Sequence, residues 1–530
     1  MKKSTVKKIL IYGGIGLLIL NGFSLSKTLS GIKGIMEFGI FVLFALLIYY
    51  MFFSKKKVEE YDPSKGKQPP YDKNNYQTPP KEANSYTPPP PTGDPQPFAE
   101  VTADGSNVSL PKQDRDKSLL GYELKSQREF FIADDELNGM CLLLGATGAG
   151  KTTAIKTLLE RPIMFQDPII IVDGKGSPSF FEEVEAMCKK HNRNFKLFNM
   201  NDVETSKHYN SLRHGGFTEL KDKIMSIFDF SDEYYQKQSD RYLQGVFRFL
   251  LMPEVKELLN VRVIDFKVLS DCMSMETMQT LAENIGEKAG FMLTILNEID
   301  EKAVNGFISR LQSVLESELS DLFIDTQDPN VIDLLQSIQA NDVVFFSLDS
   351  LKFPEYARML GRLIIADMKT VSPRFYNSGK RIYTVFDEFN VFASDIIVNL
   401  INKTREYGFR NIIATQELAD MIVNGDSKLL NQIMGNTNVK IVLRQDVPGS
   451  CEELANAVNT RDIYKPTISF GGDDEESTLL GQGGKKQFSA TLEEELIYKP
   501  REFSQLGRGE AIVFTKFPQF RHAKIKVRRV

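Results

Sequence analysis

Short apolar runs alternate with helix-like segments from about residue 118 to the C-terminus. Runs of four to six apolar residues, without polar alternation, are typical of strands that are buried on both faces. Because these strands alternate with helices, the pattern predicts an α/β fold with a mostly parallel sheet covered on both sides. The predicted strands are residues 140–144, 169–172, 195–198, 343–348, 381–386, 411–415, 439–443, 510–515 and 523–527; the predicted helices are residues 154–160, 178–190, 355–370 and 396–407.

Residues 218–338 interrupt this alternation. Their apolar positions follow helical spacing, and residues 261–264 alone resemble a strand. We therefore predict an inserted all-α domain between two parts of one α/β domain, residues 113–217 and 339–530. The alternative is a set of covering helices that have no core of their own.

Two apolar stretches, residues 9–25 and 35–53, each approach the length that crosses a bilayer. Lysines are concentrated at the outer ends of this pair, and only two lie between the stretches. By the positive-inside rule, residues 1–57 form a membrane anchor of two transmembrane helices with both ends in the cytoplasm. The alternative for the first stretch is a signal peptide or an interfacial helix.

Residues 58–112 are rich in proline and poor in core-forming side chains, which predicts a disordered, extended linker. It serves either as a spacer or as a docking strip for an aromatic groove. Glycine and acidic residues predict a further surface loop over residues 471–485.

The formal net charge of −5 and the pI of about 5.7 exclude a generally basic nucleic-acid binder. Any contact with DNA must therefore be local, as in a lined pore. The four cysteines are scattered without a C-x-x-C pair, and the four histidines do not cluster, so the sequence predicts no structural zinc site.

Residues 145–153 read G-A-T-G-A-G-K-T-T, directly after a predicted strand and before a predicted helix. In this setting the glycines turn backbone N–H groups inward as an anion nest, and the helix N-terminus adds positive charge. The motif predicts ATP and Mg²⁺ as cofactors, with Lys151 reaching the β- and γ-phosphates and Thr152 holding the metal. The predicted nucleotide-binding residues are Gly145, Ala146, Thr147, Gly148, Ala149, Gly150, Lys151, Thr152 and Thr153.

Two further strands end in polar residues that suit hydrolysis. Asp387 and Glu388 end one apolar strand, and ligands of parallel sheets bind at that edge. Asp387 is the predicted second ligand of Mg²⁺, and Glu388 is the predicted general base. Gln416 ends the strand 411–415 and is the predicted sensor of the γ-phosphate or the attacking water; the alternative is a helix cap.

Taken together, these motifs resemble the FtsK/HerA superfamily of DNA-pumping ATPases. The chain is most similar to conjugative coupling proteins of the TraD/VirD4 kind, and in particular of the TcpA type. The resemblance rests on the two apolar N-terminal stretches, the G-A-T-G-A-G-K-T-T loop, the strand ending in D-E-F, the R-x-x-G box leading into I-I-A-T-Q, and the helical insertion. It covers residues 118–450 well and is weak in the linker and in the last eighty or so residues.

The resemblance implies a RecA-like P-loop ATPase that assembles as a hexamer and moves DNA through a pore. It implies the coupling role in conjugative plasmid transfer, at the cytoplasmic membrane, with secretion-channel proteins and a relaxosome as partners. It also implies that Arg405, in the Arg405-Glu-Tyr-Gly408 box, acts across the subunit interface; Arg362 and Arg444 are alternatives, and a surface salt bridge is another reading. The turn at residues 173–176 resembles a D-P-K-G turn of these proteins, which assigns no chemical role to Lys175.

Three other functions stay open at this point. A chromosome-segregation translocase has the same motor, although its usual winged-helix reader does not match the short, strand-like tail. A receptor ATPase for secreted proteins would bind a polypeptide through the helical insertion. A membrane scaffold that binds ATP only to assemble would not need Lys151, Asp387 and Glu388 together.

Overall fold

The computed structural model describes residues 114–325, 330–393, 403–422, 425–470 and 486–530 of the 530-residue chain. The predicted membrane anchor, the proline-rich linker and the surface loop at 471–485 lie outside these residues. Within the described ranges, none of the helices combines the length and the hydropathy that a membrane span requires.

An eleven-stranded sheet forms the centre of the fold, in the order β2-β1-β15-β14-β11-β3-β10-β9-β4-β8-β5. From β11 to β5 all neighbouring strands are parallel, whereas the strands from β2 to β14 extend the sheet with antiparallel pairs. The prediction of an α/β fold with a mostly parallel sheet is therefore confirmed. The strands are β1 (Lys117–Glu123), β2 (Glu129–Ala133), β3 (Cys141–Leu144), β4 (Ile169–Asp173), β5 (Phe195–Asn199), β6 (His208–Tyr209), β7 (Val331–Ile332), β8 (Val343–Ser347), β9 (Ile382–Asp387), β10 (Phe409–Thr415), β11 (Val439–Val442), β12 (Thr460–Phe470), β13 (Lys486–Leu496), β14 (Glu510–Thr515) and β15 (Arg521–Val527).

Apolar side chains on both faces explain why the central strands carry no polar alternation. In β3, Leu142 and Leu144 belong to one buried cluster, and Cys141 and Leu143 belong to a second cluster on the opposite face. Helices cover both clusters, so each strand residue is removed from water whichever way its side chain points. The helices are α1 (Asp134–Asn138), α2 (Lys151–Met164), α3 (Pro178–Lys190), α4 (Phe217–Ser226), α5 (Glu233–Leu250), α6 (Pro253–Leu258), α7 (Phe266–Cys272), α8 (Met275–Ile285), α9 (Gly290–Glu298), α10 (Glu301–Leu315), α11 (Leu334–Gln339), α12 (Pro354–Val371), α13 (Lys428–Asn436), α14 (Pro448–Val458) and α15 (Pro500–Ser504).

Helices α4 to α10 occupy the stretch between β6 and β7, where the sequence predicts an inserted helical domain. Their apolar side chains, such as Phe247 and Leu311, belong to the same buried cluster as Phe346 of β8 and Leu360 of α12. The helices therefore share one continuous apolar core with one face of the sheet and with α12. Their division into a separate domain at residues 218–338 stays a prediction.

The prediction of a strand at residues 261–264 is wrong. This segment is an irregular connection that leads into α7. The Asp265 carboxylate caps that helix by accepting from the Val268 N–H at 2.8 Å, and its second oxygen accepts from the Asp325 N–H at 2.9 Å. These bonds fix the backbone at the start of α7. Before the cap, Ile264 packs in the main buried cluster without joining a sheet. The described end of the helix expected at 396–407 is a single turn over residues 403–407.

A buried ion pair fastens α4 to α12. The ammonium group of Lys223 donates to Asp367 Oδ1 at 2.7 Å and also to the backbone oxygens of Ser211 and His214, both at 2.7 Å. The Tyr209 hydroxyl donates to the other carboxylate oxygen of Asp367 at 2.8 Å. Every charge-bearing atom of the pair is therefore satisfied inside the protein, as a buried charge requires.

Strands β12 and β13 form a two-stranded ribbon apart from the main sheet. Tyr464 lies directly opposite Leu492, and these side chains are 73% and 54% exposed. The chain leaves the ribbon through α15 and returns to the main sheet at Glu510 in β14. The connection between α15 and β14 passes beside the glycine-rich loop described next.

Candidate active site

The glycine-rich loop connects β3 to α2 at the carboxyl edge of the parallel strands. Its N–H groups at Gly145 and Ala146 donate to the carbonyl oxygens of Thr415 at 3.2 Å and Arg444 at 2.9 Å. Thr415 is the last residue of β10, and Arg444 lies just after β11. Because β10 and β11 are the two neighbours of β3 in the sheet, the loop is hydrogen-bonded on both sides. Gly148 and Gly150 have φ of +76° and +118°, a backbone region that disfavours other residues.

Lys151 is the first residue of α2, and its side chain turns back into the loop. Its ammonium group donates to the Gly145 carbonyl at 2.9 Å, and the residue is 9% exposed. Thr152 and Thr153 follow in the first turn of the 14-residue helix and are half-buried. A buried cation, the free N–H groups of a helix N-terminus and a hydroxyl are thereby gathered in one concave loop, which suits an anion with several oxygens.

Two carboxyl groups lie at the ends of neighbouring strands, at the same edge of the sheet as this loop. Asp173 of β4 and Asp387 of β9 are directly paired in register. Burial, together with the negative charge of Glu388, raises the pKa of Asp387 to about 6, although Lys151 counters this shift. Burial and the charge of Asp387 raise the pKa of Asp173 to about 7, against two hydrogen bonds from the backbone N–H groups of Lys175 and Ser177. Each carboxyl is therefore more easily ionised once a cation comes close.

Glu388 follows Asp387 and adopts a left-handed backbone conformation, with φ and ψ both 51°. This conformation is rare for a residue other than glycine and is typical of functional positions. The amide nitrogen of Gln416 donates to both carboxylate oxygens of Glu388 at 3.1 Å. The Thr147 hydroxyl donates to the Gln416 amide oxygen, also at 3.1 Å. The loop after β3 is thus linked through the end of β10 to the end of β9.

Asp420 fixes the backbone at Gln416. One of its carboxylate oxygens accepts from the Thr415 hydroxyl at 2.7 Å and from the N–H groups of Gln416 and Glu417, both at 3.0 Å. The side chain of Gln416 therefore leaves a backbone that is held at three points, and its amide is directed at Glu388. An amide with a fixed direction is a better sensor than one on a free loop.

The structure brings together Lys151, Asp387, Glu388 and Gln416, which the sequence places in one site. Arg405 lies elsewhere: it is exposed and precedes β10, whereas Gln416 follows that strand. Seven strand residues separate the two ends by roughly 20 Å, so Arg405 does not reach the loop of its own chain.

The two alternative arginines both have partners. Arg362 in α12 donates to Asp229 at 2.8 Å. Arg444 is close to the loop through its backbone, and its guanidinium pairs with Asp446 at 3.1 Å.

Sequence reasoning assigned no role to Asp173 and did not find Asp420. Asp173 gave the same signal as Asp387, a carboxylate at the end of a fully apolar strand. Asp420 gave none, because its function depends on the conformation of the turn after β10. The segment at Gly507–Gly509, which also contacts the loop, is too far along the chain for its contact to be seen in the sequence.

The fold and the site together define a class: a P-loop nucleotide-binding fold of the RecA-like kind. The loop after β3 lies at the same sheet edge as the carboxylates of Asp387 and Glu388 and the amide of Gln416.

Comparisons with known proteins narrow this class. Residues 381–508 match the family model described as the TraM recognition site of TraD and TraG. The type 4 coupling protein DotL of Legionella pneumophila is 20% identical over 404 residues, which are 64% of this chain and 52% of DotL. The chain therefore spans about half the length of this curated relative.

Two solved structures show the fold. The conjugative coupling protein TrwB, without its first 70 residues, superposes with a TM-score of 0.56 at 14% identity, covering 78% of this chain and 89% of that one. VirB4 of Thermoanaerobacter pseudethanolicus gives a TM-score of 0.51 at 15% identity, covering 79% and 98%. The chain is thus similar in sequence to a coupling-protein family model and to a type 4 coupling protein, and similar in fold to TrwB, in agreement with the resemblance of its motifs.

Proposed function

We propose that the chain is a membrane-anchored ATPase that moves DNA as the coupling protein of a conjugative, type IV secretion-like system. The observation that carries the ATPase is the linked set Thr147–Gln416–Glu388, beside Lys151 and Asp387. A protein that only bound ATP would not need a carboxylate whose direction is set by two other strand ends.

The residues present fit ATP and Mg²⁺. The loop offers backbone N–H groups, the buried ammonium group of Lys151 and an open face, since a methyl group on Gly148 would meet nothing within 4 Å. Thr152 and Asp387 would hold Mg²⁺, because hydroxyl and carboxylate oxygens are the ligands this hard cation prefers. TrwB has been solved with the ATP analogue ADPNP and with ADP and Mg²⁺, which supports the same cofactors here.

Bound ATP and Mg²⁺ supply the phosphoanhydride bond and the metal charge, and the chain supplies the positioning. Lys151 offsets negative charge on the terminal phosphates. Glu388 accepts the proton of the attacking water at a carboxylate oxygen, as a general base within hydrogen-bond reach does. Gln416 holds Glu388 in place through its amide nitrogen, and Thr147 holds the amide oxygen. Arg405 is exposed and beyond reach of its own loop, which is compatible with our proposal that it serves a neighbouring subunit in a hexameric ring.

The DNA and membrane parts of the proposal rest on the relatives and on charge. The matched family is described by a recognition site for TraM, and both DotL and TrwB are called coupling proteins. With a net charge of −5, the chain must contact DNA phosphates locally, on loops that face a pore, without reading sequence. The apolar stretches within residues 1–57 would anchor the ring at the cytoplasmic membrane, where secretion-channel proteins and a relaxosome are its partners.

ATP hydrolysis by the full-length chain, with and without DNA at low salt, tests this function. We expect DNA to stimulate turnover and Glu388→Gln to abolish it. Equal rates for Glu388→Gln and wild type would favour an ATP-dependent scaffold. Turnover that depends on Glu388 but is indifferent to DNA would favour a receptor for secreted proteins.

A further inference from the structure

A Gly507-Arg508-Gly509 turn lies against the glycine-rich loop. The Gly509 N–H donates to the Ala149 carbonyl at 2.8 Å. A methyl group added to Gly150 would lie 3.4 Å from the Gly509 Cα, so the two backbones are nearly in contact. Gly509 itself has a φ of +73°, a conformation that glycine adopts without strain. Glycines on both sides therefore permit the close approach of this turn to the loop.

The backbone of the turn is held on every side. The Gly507 N–H donates to the Glu510 carboxylate at 2.9 Å, and the Glu510 N–H donates back to the Gly507 carbonyl at 2.9 Å. The ammonium group of Lys526 donates to the Arg508 carbonyl at 2.7 Å. Arg508 is therefore presented from a fixed backbone position beside the loop.

The side chain of Arg508, unlike its backbone, has no partner in the described part of the chain. It is exposed, and within the described part of the chain its guanidinium makes no hydrogen bond or ion pair. Three other cations near the turn or the loop have partners: Lys526 contacts the turn, Arg444 pairs with Asp446, and Arg528 pairs with Glu160. A planar guanidinium on a fixed backbone, next to an anion-binding loop, matches the bidentate geometry of phosphate oxygens.

We propose that Arg508 binds the phosphates that ATP and ADP have in common, in the same subunit. This inference rests on the proposed binding of ATP by the loop. The turn contacts the loop at Ala149 and Gly150, where α2 begins, whereas Thr147 faces Gln416 and the hydrolytic end. Arg508 therefore strengthens binding of both nucleotides and takes no part in the hydrolytic step.

Isothermal titration calorimetry of the full-length chain with ATP and with ADP tests the assignment. Because a charge-assisted contact to phosphate is lost, Arg508→Ala should raise Kd for both nucleotides by the same factor, about tenfold to a hundredfold. Arg508→Lys should lose less, since it keeps the charge without the fork. The matched control is Arg529→Ala, another exposed arginine, which should leave both Kd values unchanged. At saturating ATP, kcat of Arg508→Ala should stay within about threefold of wild type.

The remaining outcomes overturn the assignment. Unchanged Kd values for Arg508→Ala would mean no contact. A loss for ATP alone would move the contact to the terminal phosphate, and a loss of kcat with unchanged Kd would indicate a role in catalysis by another subunit. Lys151→Ala separates this inference from the proposed function, because unchanged ATP affinity in that variant would refute nucleotide binding by the loop itself. Circular dichroism of each variant confirms that it is folded.

Discussion

Removing the amide that directs Glu388 should slow hydrolysis without weakening nucleotide binding. In Gln416→Ala, the two 3.1 Å hydrogen bonds to the Glu388 carboxylate are lost, together with the bond from Thr147. A hydrogen bond to a charged group contributes about 1.5–3 kcal/mol. Because both side chains are half-buried, we take the lower half of that range, which corresponds to a fall in kcat of about tenfold to fortyfold.

The assay is steady-state phosphate release at saturating ATP for wild type, Gln416→Ala, Glu388→Gln and the double variant. Glu388→Gln alone should lose about 10²–10⁴ in kcat, as expected for a general base. If Gln416 acts through Glu388, the double variant should be no slower than Glu388→Gln by more than about threefold. Gln505→Ala, which removes an exposed glutamine in the turn after α15, is the control and should match wild type. Losses that multiply in the double variant would refute the positioning role.

Three further predictions concern stability, each read from chemical unfolding. The folded pKa of Asp387 is raised from 3.8 to about 6, so ionisation of this carboxyl opposes folding. In metal-free buffer, wild type should therefore lose about 2 kcal/mol of unfolding free energy relative to Asp387→Asn between pH 4 and 7. A difference that is independent of pH would contradict this. Gly408→Ala should lower the free energy of unfolding by about 3–5 kcal/mol, because its methyl group would overlap a backbone carbonyl oxygen. Gly379→Ala is the control: this residue also has a positive φ but open space around it, so the loss should be only about 1 kcal/mol. Equal losses in the two variants would refute the overlap. Lys223→Met should lower the free energy of unfolding by about 3–5 kcal/mol, because it leaves the Asp367 carboxylate buried without its cation. A loss under about 1 kcal/mol would show that the ion pair does not stabilise the fold.

The parts of the fold that could be predicted from sequence are those whose signal is local. β3, the glycine-rich loop and α2 follow one another without interruption, so the motif and its setting were visible together. β9 was equally clear because six consecutive buried residues, ending in Asp387, need both sheet faces covered. The site residues that end β9 and β10 could then be placed at one edge, since parallel strands present their carboxyl ends together.

Other elements gave a weak or misleading signal for identifiable reasons. β1 and β2 mix polar and apolar residues because they lie at or next to the sheet edge, where one side remains exposed to water. β12 contains Pro466, a residue that argues against a strand unless the strand lies at an edge, as it does in a two-stranded ribbon. Residues 261–264 had strand-like alternation, but in the structure they form an irregular segment that leads into the helix cap made by Asp265.

Contacts between distant parts of the chain were beyond sequence reasoning. The bond between Thr147 and Gln416 joins residues 269 positions apart, and it exists only because β10 lies next to β3 in the sheet. The position of Arg508 beside Ala149 depends in the same way on β14 joining the sheet next to β11. Strand order, which a single sequence does not encode locally, therefore decides these parts of the site.

The support of the glycine-rich loop by late segments has a consequence for synthesis of the protein. The Thr157 hydroxyl in α2 donates to the Arg528 carbonyl, 371 residues further along the chain, and Gly509 contacts the loop itself. A chain emerging from the ribosome thus makes its loop early but completes the surroundings of that loop only when β14 and β15 have been translated. A stalled or shortened product that lacks β14 and β15 therefore lacks these contacts to the loop and to α2.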